Sequence, residues 1–151
     1  VKSKRSLLII VVCFLLVAVG IFLANSKKVD VTQDDASYSV VKYSSNPVIN
    51  GIKVNFTDFT GVKELYVLTM HKGDIVNINY KSTGIKMAIL DDKYNIVHNF
   101  NADVNNSYNL KSNNYGKYFI RIYGSDASGN FQLKLNTKSD AKIQESNFWG
   151  I

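Results

Sequence analysis

From Tyr38 to Asn136 apolar and polar residues alternate in short runs broken by Gly, Asn, Asp and Lys, the period-two pattern of strands with one face inward. The runs predict nine strands: Tyr38–Tyr43, Ile52–Phe59, Val62–Met70, Asp74–Tyr80, Ile85–Leu90, Asn95–Phe100, Ser107–Leu110, Lys117–Tyr123 and Asn130–Asn136. Ile52, Val54 and Phe56 alternate with Lys53 and Asn55, Val76, Ile78 and Tyr80 with Asn77 and Asn79, and Phe131, Leu133 and Leu135 with Gln132 and Lys134. Such strands bury one face and wet the other, so eight or nine of them predict two packed antiparallel sheets, an all-β sandwich. Turn chemistry falls between the runs at His71–Asp74, Asp91–Asn95 and Gly124–Gly129, predicting hairpins.

Three stretches break the pattern. Residues 7–24, LLIIVVCFLLVAVGIFLA, form an unbroken apolar run preceded by Lys2, Lys4 and Arg5. As a helix it would reach about 27 Å, close to the hydrocarbon core of a bilayer, and the early cations favour an N-terminus that stays inside. Two readings of residues 1–26 fit: a retained signal anchor, or a signal peptide cleaved after Ser26, with Ala24 and Ser26 at the small-residue positions. Both put the β domain outside, as a single-pass cell-membrane protein or a secreted one. Residues 27–37 are polar and charged and predict a flexible stalk. Residues 137–151 lose the alternation and predict a frayed tail or a short amphipathic turn, in which Phe148, Trp149 and Ile151 are the bulky apolar exceptions.

Composition narrows the class. The residues after the apolar run suffice for one domain with a real core. They contain no Cys, since Cys13 lies within the run, so this exported domain must stand without disulfides, a bacterial rather than a eukaryotic habit. With Lys2, Lys4 and Arg5 set aside, 15 cations face 12 acids, a mild net of +3 spread singly along the chain. No basic stripe with interleaved aromatics occurs, so nucleic acid is not an expected partner.

The order Gly73-Asp74-Ile75-Val76-Asn77-Ile78, then Met87-Ala88-Ile89-Leu90-Asp91-Asp92, then Gly116-Lys117-Tyr118-Phe119-Ile120-Arg121-Ile122-Tyr123-Gly124, then Gly129-Asn130-Phe131-Gln132-Leu133 resembles the bacterial pre-peptidase C-terminal domain over about residues 60–136. The resemblance implies a jelly-roll-like β-sandwich and no catalytic residue. Members of that family are accessory modules beside secreted proteases and glycosidases, and some relatives bind collagen or calcium.

Candidate chemistry is sparse. Asp91 and Asp92 in one turn and Asp126 in another are candidate calcium ligands, because hard cations take carboxylate oxygens on adaptable loops, although turn hydrogen bonding is far more often the reason for paired aspartates at a hairpin turn. Tyr94 and Tyr115 fall in loops rather than strands and are candidate ligand-binding aromatics for a cell-wall glycan or peptide. His98 alternates with Ile96 and Phe100 and is expected inward as a packed residue, while His71 is expected in solvent. No local Ser, His and Asp arrangement points to hydrolysis. The sequence therefore predicts a non-catalytic binding module at a bacterial envelope, with a regulator or inhibitor of a membrane or secreted enzyme as the second reading and a small hydrolase as the third.

Overall fold

The computed structural model describes residues 29–34 and 36–146; the apolar run at 7–24 and Phe148, Trp149 and Ile151 lie outside these residues. Among the described residues no helix is long and apolar enough to cross a membrane. Nine strands form one open antiparallel sheet: β1 (Tyr38–Ser39), β2 (Lys42–Val48), β3 (Gly51–Met70), β4 (Ile75–Thr83), β5 (Lys86–Leu90), β6 (Ile96–Phe100), β7 (Asn105–Lys111), β8 (Gly116–Thr137) and β9 (Lys142–Glu145).

Two very long strands organise it. β3 and β8 pair from Gly51↔Lys134 to Met70↔Gly116, and register shifts between Phe56 and Gly61 bend the pair. Their halves before and after the bend belong to two leaves. The first leaf joins β2, residues 51–56 of β3, residues 129–137 of β8, β4 and β7; the second joins β9, residues 61–70 of β3, residues 116–124 of β8, β5 and β6. The bend lays one leaf over the other, giving a sandwich-like fold. Phe131 and Tyr80 of the first leaf share one core with Ile89, Ile120 and Phe100 of the second, and the Tyr80 and Phe100 rings stand 5.5 Å apart.

The bend explains why two expected strand pairs are single strands. Gly124–Gly129 has the composition of a hairpin turn, yet its flanks pair with the same neighbour, Gly124 with Gly61 and Gly129 with Phe56, so the chain kinks and continues. Asp126 (φ 50°) and Gly129 (φ 155°) absorb the kink, and a Cβ on Gly129 would lie 2.2 Å from the Thr83 carbonyl oxygen.

The tail and the stalk also differ from expectation. β9 adds to the free edge of β3, Tyr66 opposite Glu145 and Thr69 opposite Lys142, although its side chains are all exposed. Main-chain pairing and a Tyr66–Glu145 side-chain hydrogen bond hold this strand, and no apolar alternation announces it. Residues 29–34 lie on the outer side of the second leaf, where Val31 is buried with Val62, Ala88 and Leu90. The second leaf is thus covered on both faces, which is why Met87, Ala88, Ile89 and Leu90 are all buried.

A bulge in β6 separates Ile96 from His98. Ile89 pairs with His98 but Leu90 with Ile96, so His98 faces inward with Phe100 while Ile96 turns outward and is exposed. His98 stacks on Tyr108 of β7 at 4.0 Å, closing the open side of the sandwich, and burial lowers its pKa.

Candidate functional site

The second leaf's outer face is built around Arg121. Along residues 117–123 large side chains occupy both parities: Ile120 and Ile122 enter the main core while Phe119, Arg121 and Tyr123 point outward. Arg121 is 1% exposed. A buried guanidinium is tolerated only when paired and hydrogen-bonded, and here each arm is used. Nε and Nη2 donate to Glu64 Oε2 at 3.4 and 3.2 Å, Nη1 donates to the carbonyls of Val31 (3.3 Å) and Gln33, and Nη2 also reaches the Asp34 carbonyl at 3.4 Å. The other oxygen of Glu64 accepts from Ser146 Oγ at 2.9 Å, so the N-terminal segment and the end of β9 meet at one ion pair.

Tyr94 caps this site instead of facing solvent. Its ring lies 4.5 Å over the Arg121 guanidinium and stacks on Phe119 at 5.0 Å. A hydrogen bond to the Asp34 carboxylate, together with burial, raises its phenol pKa. The turn aims it there: Asp91 Oδ1 accepts from the backbone N–H of Lys93 (2.9 Å) and Asn95 (2.8 Å), its Oδ2 from Asn95 Nδ2 (3.0 Å), and Tyr94 takes a left-handed φ of 60°. These bonds, Asn95's side chain first, hold the Asp91 carboxyl below its usual value of 3.8. A depressed carboxylate pKa stabilises the fold above the unfolded value and stops doing so as pH falls through the folded one. Asp91→Ala should therefore melt below the parent at pH 7, with the gap narrowing as pH drops below 3.8; an equal gap at every pH in thermal melts would show that the carboxylate charge is not used.

The other candidates lie apart. Asp92 is exposed, and Asp126 Oδ1 accepts from Thr60 Oγ1 at 3.2 Å. Asp91 follows Leu90, which pairs with Phe119, while Asp126 follows Tyr123, which pairs with Lys86. The two turns thus stand at opposite ends of β5, roughly 15 Å apart at about 3.3 Å per residue. The structure does not bring the three aspartates to one cation, and among the described residues no group of three or more His, Cys, Asp and Glu side chains has metal-holding geometry. Added calcium should leave the melting curve unmoved, whereas a rise abolished by Asp91→Asn with Asp92→Asn would restore the calcium reading. Tyr115 is 68% exposed with its ring 5.2 Å from that of His71, an open pair at the end of the second leaf.

A groove of about 1210 Å³ runs along the outer side of β5, β6 and β8, walled by residues 29–32, with Tyr123, Lys86, Ile96 and Asp126 among its lining. Tyr123 is fixed by its hydroxyl, which donates to Asn99 Oδ1 at 2.9 Å. Sequence reasoning missed both groove and clamp. The available signal was the double-sided bulk of Phe119 to Tyr123 around the one Arg that follows the apolar run.

The other buried polar groups serve the scaffold. Asp74 Oδ2 accepts from the His71 N–H at 2.7 Å, and Tyr80 and Ser82 hydroxyls both donate to the Ile85 carbonyl at 3.1 and 3.0 Å. Burial raises the pKa of Tyr80, and burial with Glu145 pushes Tyr66 up to about 12. No protein-family model and no curated protein matches the chain.

Proposed function

We propose that the chain is a non-catalytic binding module of a bacterial envelope, its β domain outside the membrane and its residues 7–24 the anchor or export signal. The observation that carries this reading is the outer face of the first leaf. Five strands present a broad exposed array of Asn, Gln, Ser, Thr and Lys there, including Asn55, Asn109, Asn130 and Lys134, while buried Arg121, Asp74 and Tyr80 are engaged in structural contacts. A wide polar face suits a large, hydrated partner better than it suits chemistry on a small substrate. The pre-peptidase C-terminal likeness and a jelly-roll connectivity belong to the same reading. The test uses intact bacteria making the full chain: added protease should trim the β domain while the domain in lysed cells is cut at the same sites, and purified wall sacculi should retain the protein. Protection in intact cells would overturn the outward topology, and no retention on sacculi would overturn wall binding.

The groove beside residues 29–32 favours a second reading, a regulator of a membrane enzyme, because its wall is the segment that directly follows the proposed anchor. A photo-crosslinker at Ser125 should then capture a membrane protein, and capture of none would set this reading aside.

A further inference from the structure

The fold gathers lysines that the sequence scatters. In the first leaf, inward Ile52, Val54, Ile78, Leu133 and Leu110 alternate with outward side chains, and Lys42, Lys53, Lys81, Lys111 and Lys134 all fall on the outward parity, all exposed. No Asp or Glu occurs in residues 42–48, 51–57, 75–83, 105–111 or 130–137. None of the five lysines forms an ion pair with a described carboxylate. Three acids at the rim are engaged locally: Asp58 Oδ1 accepts from Ser128, Asp103 Oδ1 from the Gly84 N–H, and Asp74 from His71.

Position separates these lysines into two kinds. Lys42 and Lys111 stand on the edge strands β2 and β7, where a cation guards against edge-to-edge pairing. Lys53, Lys81 and Lys134 stand on β3, β4 and β8, the three central strands, where no such role exists. Lys53 and Lys81 both sit opposite Gln132, and Lys134 is two residues out of register with each, opposite Gly51 and Asn79. Strand spacing and rise put the three within about 8–10 Å of one another, about one Debye length at physiological salt. Clustered like charges on a sheet are unfavourable unless something neutralises them.

Beside the triad the amides are already ordered. Asn79 Nδ2 donates to Asn77 Oδ1 at 2.6 Å and Asn77 Nδ2 to Asn109 Oδ1 at 2.8 Å, a ladder running from β4 to β7. Three neighbouring cations beside ordered amide donors and acceptors match a chain that alternates anionic groups with hydroxyls.

We propose that this face binds a polyol-phosphate polymer of the bacterial wall, Lys53, Lys81 and Lys134 taking its phosphodiesters and the Asn77–Asn79–Asn109 ladder its hydroxyls. The proposal rests on the envelope-binding reading and names its ligand. Charge complementarity across the central strands selects the occupant, and the five-strand width of the leaf gives an extended chain room to lie across it.

The test uses the full chain in phosphatidylcholine nanodiscs, with poly(glycerol phosphate) as probe, uncharged dextran as control, and phosphatidylglycerol vesicles as competitor. The polymer should bind and dextran should not, and binding should weaken steeply with added salt. Lys53→Gln with Lys81→Gln and Lys134→Gln should lose about tenfold or more in affinity, yet melt at or above the parent temperature when no polymer is present, because the clustered charge is gone. Lys42→Gln with Lys111→Gln should lose less. Equal binding by the triple variant, an equal loss in the edge variant, or vesicles that compete as well as free polymer would each overturn the proposal. Sacculi chemically stripped of phosphate polymers separate the two readings: full retention there sinks the polymer while leaving wall binding intact, whereas no retention on any sacculi sinks both.

Discussion

Arg121→Met is expected to destabilise the domain by about 3 kcal/mol, because it strands the Glu64 carboxylate and three backbone carbonyls in a site the guanidinium now fills. For a domain of this size that corresponds to a fall of roughly 12 °C or more in melting temperature. The loss should be local first: residues 29–34 should become protease-sensitive at temperatures where the core still holds, since Val31 contributes only to the small outer cluster. Adding Glu64→Leu to Arg121→Met should return part of the stability by removing the stranded charge. Tyr94→Ala should reproduce a fraction of the loss, as it uncovers the guanidinium without unpairing it. A melting curve within 2 °C of the parent for Arg121→Met would mean that the clamp contributes about 0.5 kcal/mol or less.

Phe131→Ala should be the more damaging core change. Phe131 is fully buried, with the rings of Tyr80 at 6.1 Å and Phe56 at 6.4 Å, and its removal leaves a cavity between the two leaves. Phe→Ala in such a site costs about 3–5 kcal/mol. Tyr80→Phe provides the contrast. It deletes one hydrogen bond to the Ile85 carbonyl, but Ser82 Oγ still donates there, so no acceptor is left bare and the cost should stay near 1 kcal/mol. Chemical denaturation of the two variants measures both, and a Tyr80→Phe cost equal to that of Phe131→Ala would show that the hydroxyl network, not packing, joins the leaves.

Periodicity identifies most of these strands because burial is one-sided in the first leaf. Ile52 to Phe56, Val76 to Tyr80 and Phe131 to Leu135 point inward as their alternation predicts. Where the physics is not one-sided the reading falters. Met87 to Leu90 bury both faces under residues 29–34, and a polar composition such as that of residues 29–34 gives no hint that a single Arg will bind its carbonyls. Gly124–Gly129 has turn chemistry, but pairing of both flanks to β3 overrides it. β9 pairs through its main chain with exposed side chains, so no apolar alternation marks it. The candidate site shows the same division. Tyr94 and Asp91 are singled out by their residue types and lie in contacts within the fold, while the outward lysines are visible in sequence only once each strand's parity is fixed and the strands are ordered side by side.

The central position of β8 also sets the timing of folding. It supplies neighbours to β3, β4 and β5, and its far end, Lys134, pairs with Gly51, 83 positions earlier. As the chain grows from its N-terminus, three strands must wait for a shared partner that is made after all of them. Contacts so distant in sequence make for slow folding, in the range of milliseconds to seconds, and they keep the incomplete polypeptide loose. Until residues 116–137 are in place, β3, β4 and β5 lack their shared neighbour and the two leaves cannot close over one core.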